Sequence, residues 1–204
     1  MGRCLIPRDP AQYFSVSARR VAALTAFVLA LVATSLCSAA DVDAPARGDL
    51  AKLDHLLQLM KQRLTLMHDV ARWKWNANQP IAAPQREREL LERVVRQGRA
   101  KGLDAKFVRT FFAAQIEAAR SVEQADVDHW KSIRQRPFAA TTGLGELRRR
   151  IDDLNRGLLD VLAEIYPALS SDAIQKALRA RAEAILTGDD LAPVRKTAIG
   201  PLRR

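Results

Sequence analysis

The stretch Leu50–Trp75, LAKLDHLLQLMKQRLTLMHDVARWKW, decides the fold. Leu50, Leu53, Leu57, Met60, Leu64, Met67 and Ala71 recur every three or four residues, the spacing that keeps apolar side chains on one helix face. The repeat predicts a helix of about 25 residues ending near Trp75. No run in the chain shows the period-2 alternation of β-branched residues that a strand needs. Composition agrees: 48% of residues are apolar but only 5% aromatic, and Leu, Ala and Arg favour helix.

Downstream the pattern continues in segments. Asn76–Pro84 holds two prolines and reads as an extended loop. A second helix starts near Pro84, since proline suits a first turn, and ends at Gly102, a residue suited to the turn after a helix. Asp104 caps a third long helix carrying Phe107, Phe111, Phe112, Ile116, Val122 and Trp130. The polar stretch from Lys131 to Gly143 is a connection. Leu144, Leu147, Ile151, Leu154, Leu158, Leu162 and Ile165 mark a fourth helix stopped by Pro167, and Ser171 caps a fifth that closes at Gly188. Residues 189–204 show no period and are expected to be a flexible basic tail. The fold class is therefore all-α, a bundle of about five to six helices, with residues 41–188 as its domain.

Upstream, residues 1–40 read as a signal peptide rather than as part of the fold. Arg19 and Arg20 precede the apolar run Val21–Ala33, and small residues follow at Cys37-Ser38-Ala39-Ala40. The run of about 13 residues falls short of the roughly 20 needed to span a bilayer. Cleavage after Ala39 or Ala40 is expected, with no membrane anchor left behind. The protein is then periplasmic or secreted. Both cysteines, Cys4 and Cys37, leave with the leader, so the mature chain has no disulfide and no cysteine-ligated metal. His55, His68 and His129 show no ligand spacing with acids, so no metal is expected.

The full chain carries a net charge of +10; removing four arginines and one aspartate with residues 1–40 leaves +7. A basic balance fits nucleic acid, an anionic membrane or a small anionic substrate. Export argues against nucleic acid.

The positions of the charges are informative. Arg63 and Lys74 are 11 residues apart, about three turns, and share the stripe Leu56-Met60-Arg63-Met67-Val70-Lys74. Arg148 shares a face with Leu144, Ile151 and Leu158; Arg86 aligns with Leu90 and Val94; Glu123 aligns with Phe112, Ile116 and Ala119. Any one of these is ordinarily a snorkelling side chain. Together they set four cations and one acid at inward-leaning sites on four helices. Buried unpaired cations are costly, so the interior is expected to hold an anion. Structural ion pairs with Glu87, Asp152 or Asp153 are the competing account, and periodicity alone does not choose. Three arginines on three helices suit a small dicarboxylate, because a guanidinium donates two parallel hydrogen bonds to each carboxylate.

These residues fall into a set of motifs. Arg63 is followed by Lys74-Trp75, Pro80-Ile81 and the run Arg86-Glu87-Arg88-Glu89-Leu90-Leu91-Glu92-Arg93, then Gly102-Leu103-Asp104-Ala105. Gln115-Ile116, Glu123, Trp130-Lys131, Leu147-Arg148 and Ile151-Asp152-x-Leu154-Asn155 complete it. Over roughly residues 50–165 the chain resembles the all-helical, type II chorismate mutases, and among them the exported class. The resemblance implies a chorismate mutase, which rearranges chorismate to prephenate on the branch toward phenylalanine and tyrosine. It implies that Arg63, Arg86 and Arg148 contact the substrate's carboxylates and adjacent groups. Lys74 and Glu123 would flank the ether oxygen whose bond to carbon breaks, and Glu87 would meet the ring hydroxyl. In the exported class one chain supplies the whole pocket, which leaves room for a homodimer with a pocket in each chain. The reaction is a concerted intramolecular rearrangement, so no cofactor is implied. Ala119 stands where relatives carry Ser or Thr, Ala83 where cytosolic relatives carry Asp, and Leu90 where some exported members carry Gln; all three would still line the pocket. The disulfide common in the C-terminal helices of exported members is absent.

The rival class is a non-catalytic periplasmic helical binding or adapter protein. It predicts Arg63, Lys74 and Arg148 exposed, with no pocket around them.

Overall fold

The computed structural model describes residues 47–203, so the expected signal peptide lies outside the described residues. Among the described residues there are six α-helices and no strand. They are α1 (Arg47–Asn76), α2 (Pro84–Ala100), α3 (Ala105–Ser132), α4 (Leu144–Ile165), α5 (Asp172–Ile185) and α6 (Ala192–Ile199). Short 3₁₀ turns follow α4 (Tyr166–Ser170) and α6 (Gly200–Leu202).

The stops and starts have local causes. Pro84 occupies the first turn of α2, where its missing N–H costs nothing. The Asp104 carboxylate accepts from the Phe107 backbone N–H at 2.7 Å and starts α3, and the Ser171 hydroxyl accepts from Ile174 N–H at 3.3 Å to start α5. Gly102 has φ +79°, the left-handed conformation that turns the chain out of α2.

The 30-residue α1, about 45 Å long, is the central strut, packed against α3, α4 and α5. Its apolar repeat is the core: Leu53, Leu56, Leu57, Met60 and Leu64 are fully buried against Phe111, Phe112, Leu158 and Leu162. α2 lies across α3 and α4, close enough that a Cβ on Gly98 would sit 2.7 Å from Val108 Cγ2. Val108 is fully buried and β-branched, so it has no free rotamer to retreat into. Gly98→Ala is therefore expected to destabilise the protein by about 1–3 kcal/mol of overpacking, against a helix-propensity gain of no more than ~1 kcal/mol. Urea unfolding of the variant checks this, and a stabilised variant would mean that α2 can move away from α3.

The C-terminal segment corrects the reading of residues 189–204 as a flexible basic tail. Leu191, Val194, Ala198, Ile199 and Leu202 are buried, and α6 packs on α3. The Gln175 amide donates to the carbonyls of Leu169 at 2.6 Å and Leu202 at 2.9 Å, fixing the chain end. These apolar residues do recur at three and four, but Pro193, Gly200 and the surrounding cations mask so short a period. Pro193 in fact sits in the first turn, where it assists the helix.

A histidine clamps the turn that leads into α6. His68 Nδ1 on α1 lies 2.7 Å from Asp126 Oδ2 on α3, and Nε2 lies 3.2 Å from Asp190 Oδ2. Burial opposes the charged ring, but the hydrogen bonds and charges of Asp126 and Asp190 outweigh it and raise the pKa above the usual 6.5. A raised folded-state pKa makes this contribution complete below the unfolded value and lost as pH rises through the folded one. His68→Gln should therefore lower Tm at about pH 5.5 and have a smaller effect at about pH 9. Equal losses at both pH values in thermal melts would show that the charge is not what the clamp uses.

Candidate active site

The helices enclose a cavity of about 360 Å³ walled by α1, the loop after it, α2, α3 and α4 of one chain. All nine residues singled out from the sequence line it: Arg63, Lys74, Ala83, Arg86, Glu87, Leu90, Ala119, Glu123 and Arg148. Its floor is apolar, with Met67, Val70, Ile116, Leu147 and Ile151 among the lining residues.

Arg63 sits at mid-length on α1 and is 3% exposed. Its Nε donates to Asn155 Oδ1 at 3.1 Å, and its Nη1 donates to the Gln115 backbone carbonyl at 2.9 Å. Both acceptors are neutral. Burial pulls its pKa down to about 10, with the charge of Glu123 acting in the opposite direction. The guanidinium is still a cation at neutral pH, held in a dry place without a carboxylate on it.

Lys74, three turns along the same face, donates from Nζ to Glu123 Oε2 at 2.6 Å and to the Ile81 carbonyl at 2.6 Å. Glu123 is 4% exposed. Burial pushes its carboxyl above the ordinary 4.5, Lys74 and Arg63 pull it back, and the net direction is upward. The Ile81 contact shows what the Pro80-Ile81 loop does locally: it folds over the end of α1 and ties down the ammonium.

The acids named as competing partners are taken by other cations. Glu87 accepts from Arg120 on α3 through both carboxylate oxygens and from the Ala83 N–H at 3.2 Å. Asp152 accepts from Arg93 Nη2 at 3.0 Å, and Asp153 pairs with its helix neighbour Arg156. Among the described residues, no carboxylate pairs with Arg63, Arg86 or Arg148. Burial, and then the facing charge of Arg148, lower the pKa of Arg86. Arg86 is half-buried and Arg148 stands exposed at the mouth. A site with like charges facing each other across a cavity is built to receive an anion.

Reading the sequence missed Arg93 and Arg120. Arg93 follows Arg86 by seven residues, about two turns on the same side of α2, a spacing that marks it as a neighbour. Arg120 gives no such signal, because it lies three residues before Glu123 on a mostly exposed side of α3. Among the described residues no cluster of His, Cys, Asp or Glu could hold a metal ion. Of the three residues that the adapter reading predicts exposed, Arg148 is, but Arg63 is buried and Lys74 lines the cavity, which that reading does not predict.

Residues 46–124 match the chorismate mutase type II family. Over that stretch the chain is similar to the type II chorismate mutases. The family match takes in Arg63, Lys74, Arg86 and Glu123 and stops short of Arg148. A secreted chorismate mutase of Mycolicibacterium smegmatis is 29% identical over 171 residues, 83% of this chain and 94% of the relative. The crystal structure of chorismate mutase from Burkholderia thailandensis superposes with a TM-score of 0.69 at 28% identity, covering 74% of this chain and 98% of that one. The secreted chorismate mutase of Yersinia pestis shares the fold, with a TM-score of 0.62 at 20% identity over 72% of this chain and 94% of its own.

Proposed function

We propose that this chain is an exported chorismate mutase that converts chorismate to prephenate in the α1–α4 cavity. The observation that carries the reading is the charge inventory of that cavity. Six cations line it with three acids, and the acids are matched to Lys74, Arg93 and Arg120. Arg63, Arg86 and Arg148 are the remainder, and they come from three different helices. A substrate with two carboxylates supplies the missing anions.

The mechanism needs no nucleophile and no redox centre. The arginines grip the carboxylates and hold the substrate in the compact conformer that brings the reacting carbons together. Lys74 meets the negative charge that grows on the ether oxygen as its bond to carbon breaks. At the low end of enzymic acceleration the site must supply about 8 kcal/mol, of which one well-placed cation accounts for roughly 3–4 kcal/mol. In the fraction of molecules where Glu123 carries a proton it adds a second donor: Oε2 accepts from Lys74, and Oε1–H donates. The assay that tests the reading is loss of chorismate in the presence of the purified protein lacking residues 1–40. A rate no higher than the uncatalysed one would overturn it.

Glu123 gives a pH signature. Because burial raises its pKa, the protonated donor is populated further toward neutrality than an ordinary glutamic acid, and the rate should climb as pH falls through that raised value. Glu123→Gln is a donor at every pH, so it should stay active with a flatter pH profile. A glutamine variant that folds and binds a substrate analogue, yet is as inactive as Glu123→Ala, would show that the ionised carboxylate is the working form.

Export is part of the same reading, with residues 1–40 as a cleavable leader. It is supported by the leader's charge and apolar pattern and by relatives that are named secreted. No described helix is long and apolar enough to cross a membrane. A homodimer would carry a pocket in each chain, each lined by Arg63, Lys74, Arg86, Glu123 and Arg148 of that same chain.

A further inference from the structure

We propose that Asn155 is a positioning residue for Arg63, and that it must be neutral. The inference rests on the reading of the cavity as a dicarboxylate site and names what aims its innermost cation. Asn155 is 3% exposed on α4 and follows Arg148 by seven residues, about two turns, so the two lie toward the same side of that helix.

A guanidinium carries five N–H donors in one rigid plane. Asn155 Oδ1 takes Nε–H at 3.1 Å and the Gln115 carbonyl takes one hydrogen of Nη1 at 2.9 Å. These two bonds fix the plane and leave the remaining three N–H groups for a ligand. The second acceptor is itself anchored, because the Gln115 side chain donates to the Ala198 carbonyl of α6 at 2.8 Å. The two acceptors thus come from α4 and α3, and α6 braces the latter.

The choice of amide over carboxylate is the informative part. Each neighbouring cation at the cavity has either a carboxylate or open solvent, whereas Arg63 is buried against two carbonyl dipoles. An aspartate at 155 would be nearly isosteric and would accept the same hydrogen bond, but it would cancel the charge that an incoming carboxylate has to find. The amide also comes at a cost: Asn155 Nδ2 is buried with no partner. Its orientation cannot be reversed to satisfy Nδ2 elsewhere, since that would set a donor against Arg63 Nε–H. An amide whose one satisfied atom is the Arg63 acceptor is there for Arg63.

The test uses Asn155→Asp and Asn155→Leu with two readouts. The first is KM and kcat for chorismate, together with the affinity of a stable dicarboxylate analogue. Asn155→Asp should keep a Tm close to wild type, because the new carboxylate is paired, while KM and the analogue's Kd rise roughly 10- to 100-fold. Asn155→Leu frees the guanidinium plane and should lower kcat as well as raise KM. The second readout does not involve activity: hydrogen exchange of the Arg63 Nε proton by NMR, slow in the wild type and in Asn155→Asp, and accelerated in Asn155→Leu. Wild-type KM and Kd in Asn155→Asp would overturn the requirement for neutrality, and unchanged Nε exchange in Asn155→Leu would overturn the positioning role. If the wild type itself neither consumes chorismate nor binds the analogue, the dicarboxylate reading falls, and the neutrality requirement falls with it.

Discussion

Replacing Lys74 by alanine will lower kcat for chorismate about 100- to 1,000-fold while leaving the protein folded, the loss expected for one preorganised donor to a developing oxyanion. Lys74 holds no core together: its side chain lines the cavity, and among the described residues its ammonium donates to Glu123 and the Ile81 carbonyl. Removing it strands a buried carboxylate, and an unpaired buried charge is ordinarily expensive. Here the remedy is at hand, because burial already raises the Glu123 pKa and loss of its nearest cation raises it further. The carboxyl takes up a proton and the variant pays little. The expected result is a near-native melting curve with turnover lost, and a KM that changes less than kcat, because in the proposed mechanism Lys74 acts on charge present mainly in the transition state. Near-wild-type turnover in Lys74→Ala would remove it from the chemistry.

Most of the fold was legible because α1 is long. An apolar repeat sustained over Leu50–Ala71 has no competing interpretation, and the caps at Asp104 and Ser171 and the glycine at 102 mark element ends by local chemistry that context does not override. α6 was not legible for the opposite reason. Eight residues give barely two turns of period, and a helix that short is held by what it lands on, here the face of α3 and the Gln175 amide. The gathering of the site residues followed from helix faces, since Arg63 and Lys74 had to point together whatever the tertiary arrangement. Their pairing did not follow. Which acid meets which base depends on the crossing of α2 over α3 and α4, and a sequence period carries no information about crossings. So Glu87 and Asp152, read as competitors for the pocket arginines, turn out to neutralise Arg120 and Arg93 instead. Likewise His68 gave no signal, because its two carboxylates stand 58 and 122 residues away.

Arg63 is where the demands of the fold and of the site conflict most. The fold gains little from it: a cation 3% exposed, with only carbonyl partners and a pKa drawn down to about 10, is a burden on the empty protein. In the proposed function the site gains much, because a carboxylate arriving there would find a fixed, desolvated fork. Arg63→Ala should therefore reduce kcat/KM by about 2–5 kcal/mol, roughly 30-fold to a few thousand-fold, with KM raised and kcat lowered together. Its thermal stability should fall by less than a comparable truncation in the Leu53–Leu64 core, since the lost packing is offset by relief of the buried charge. Arg63→Met restores most of the volume and should recover stability without recovering activity. Arg148→Ala is the contrast: exposed at the mouth, Arg148 is dispensable for folding, and its loss should raise KM with no change in Tm. Kinetics and melting curves on the three variants separate the two demands. If activity across them tracks Tm, Arg63 is a structural residue, and the anion grip must lie with Arg86 and Arg148 alone.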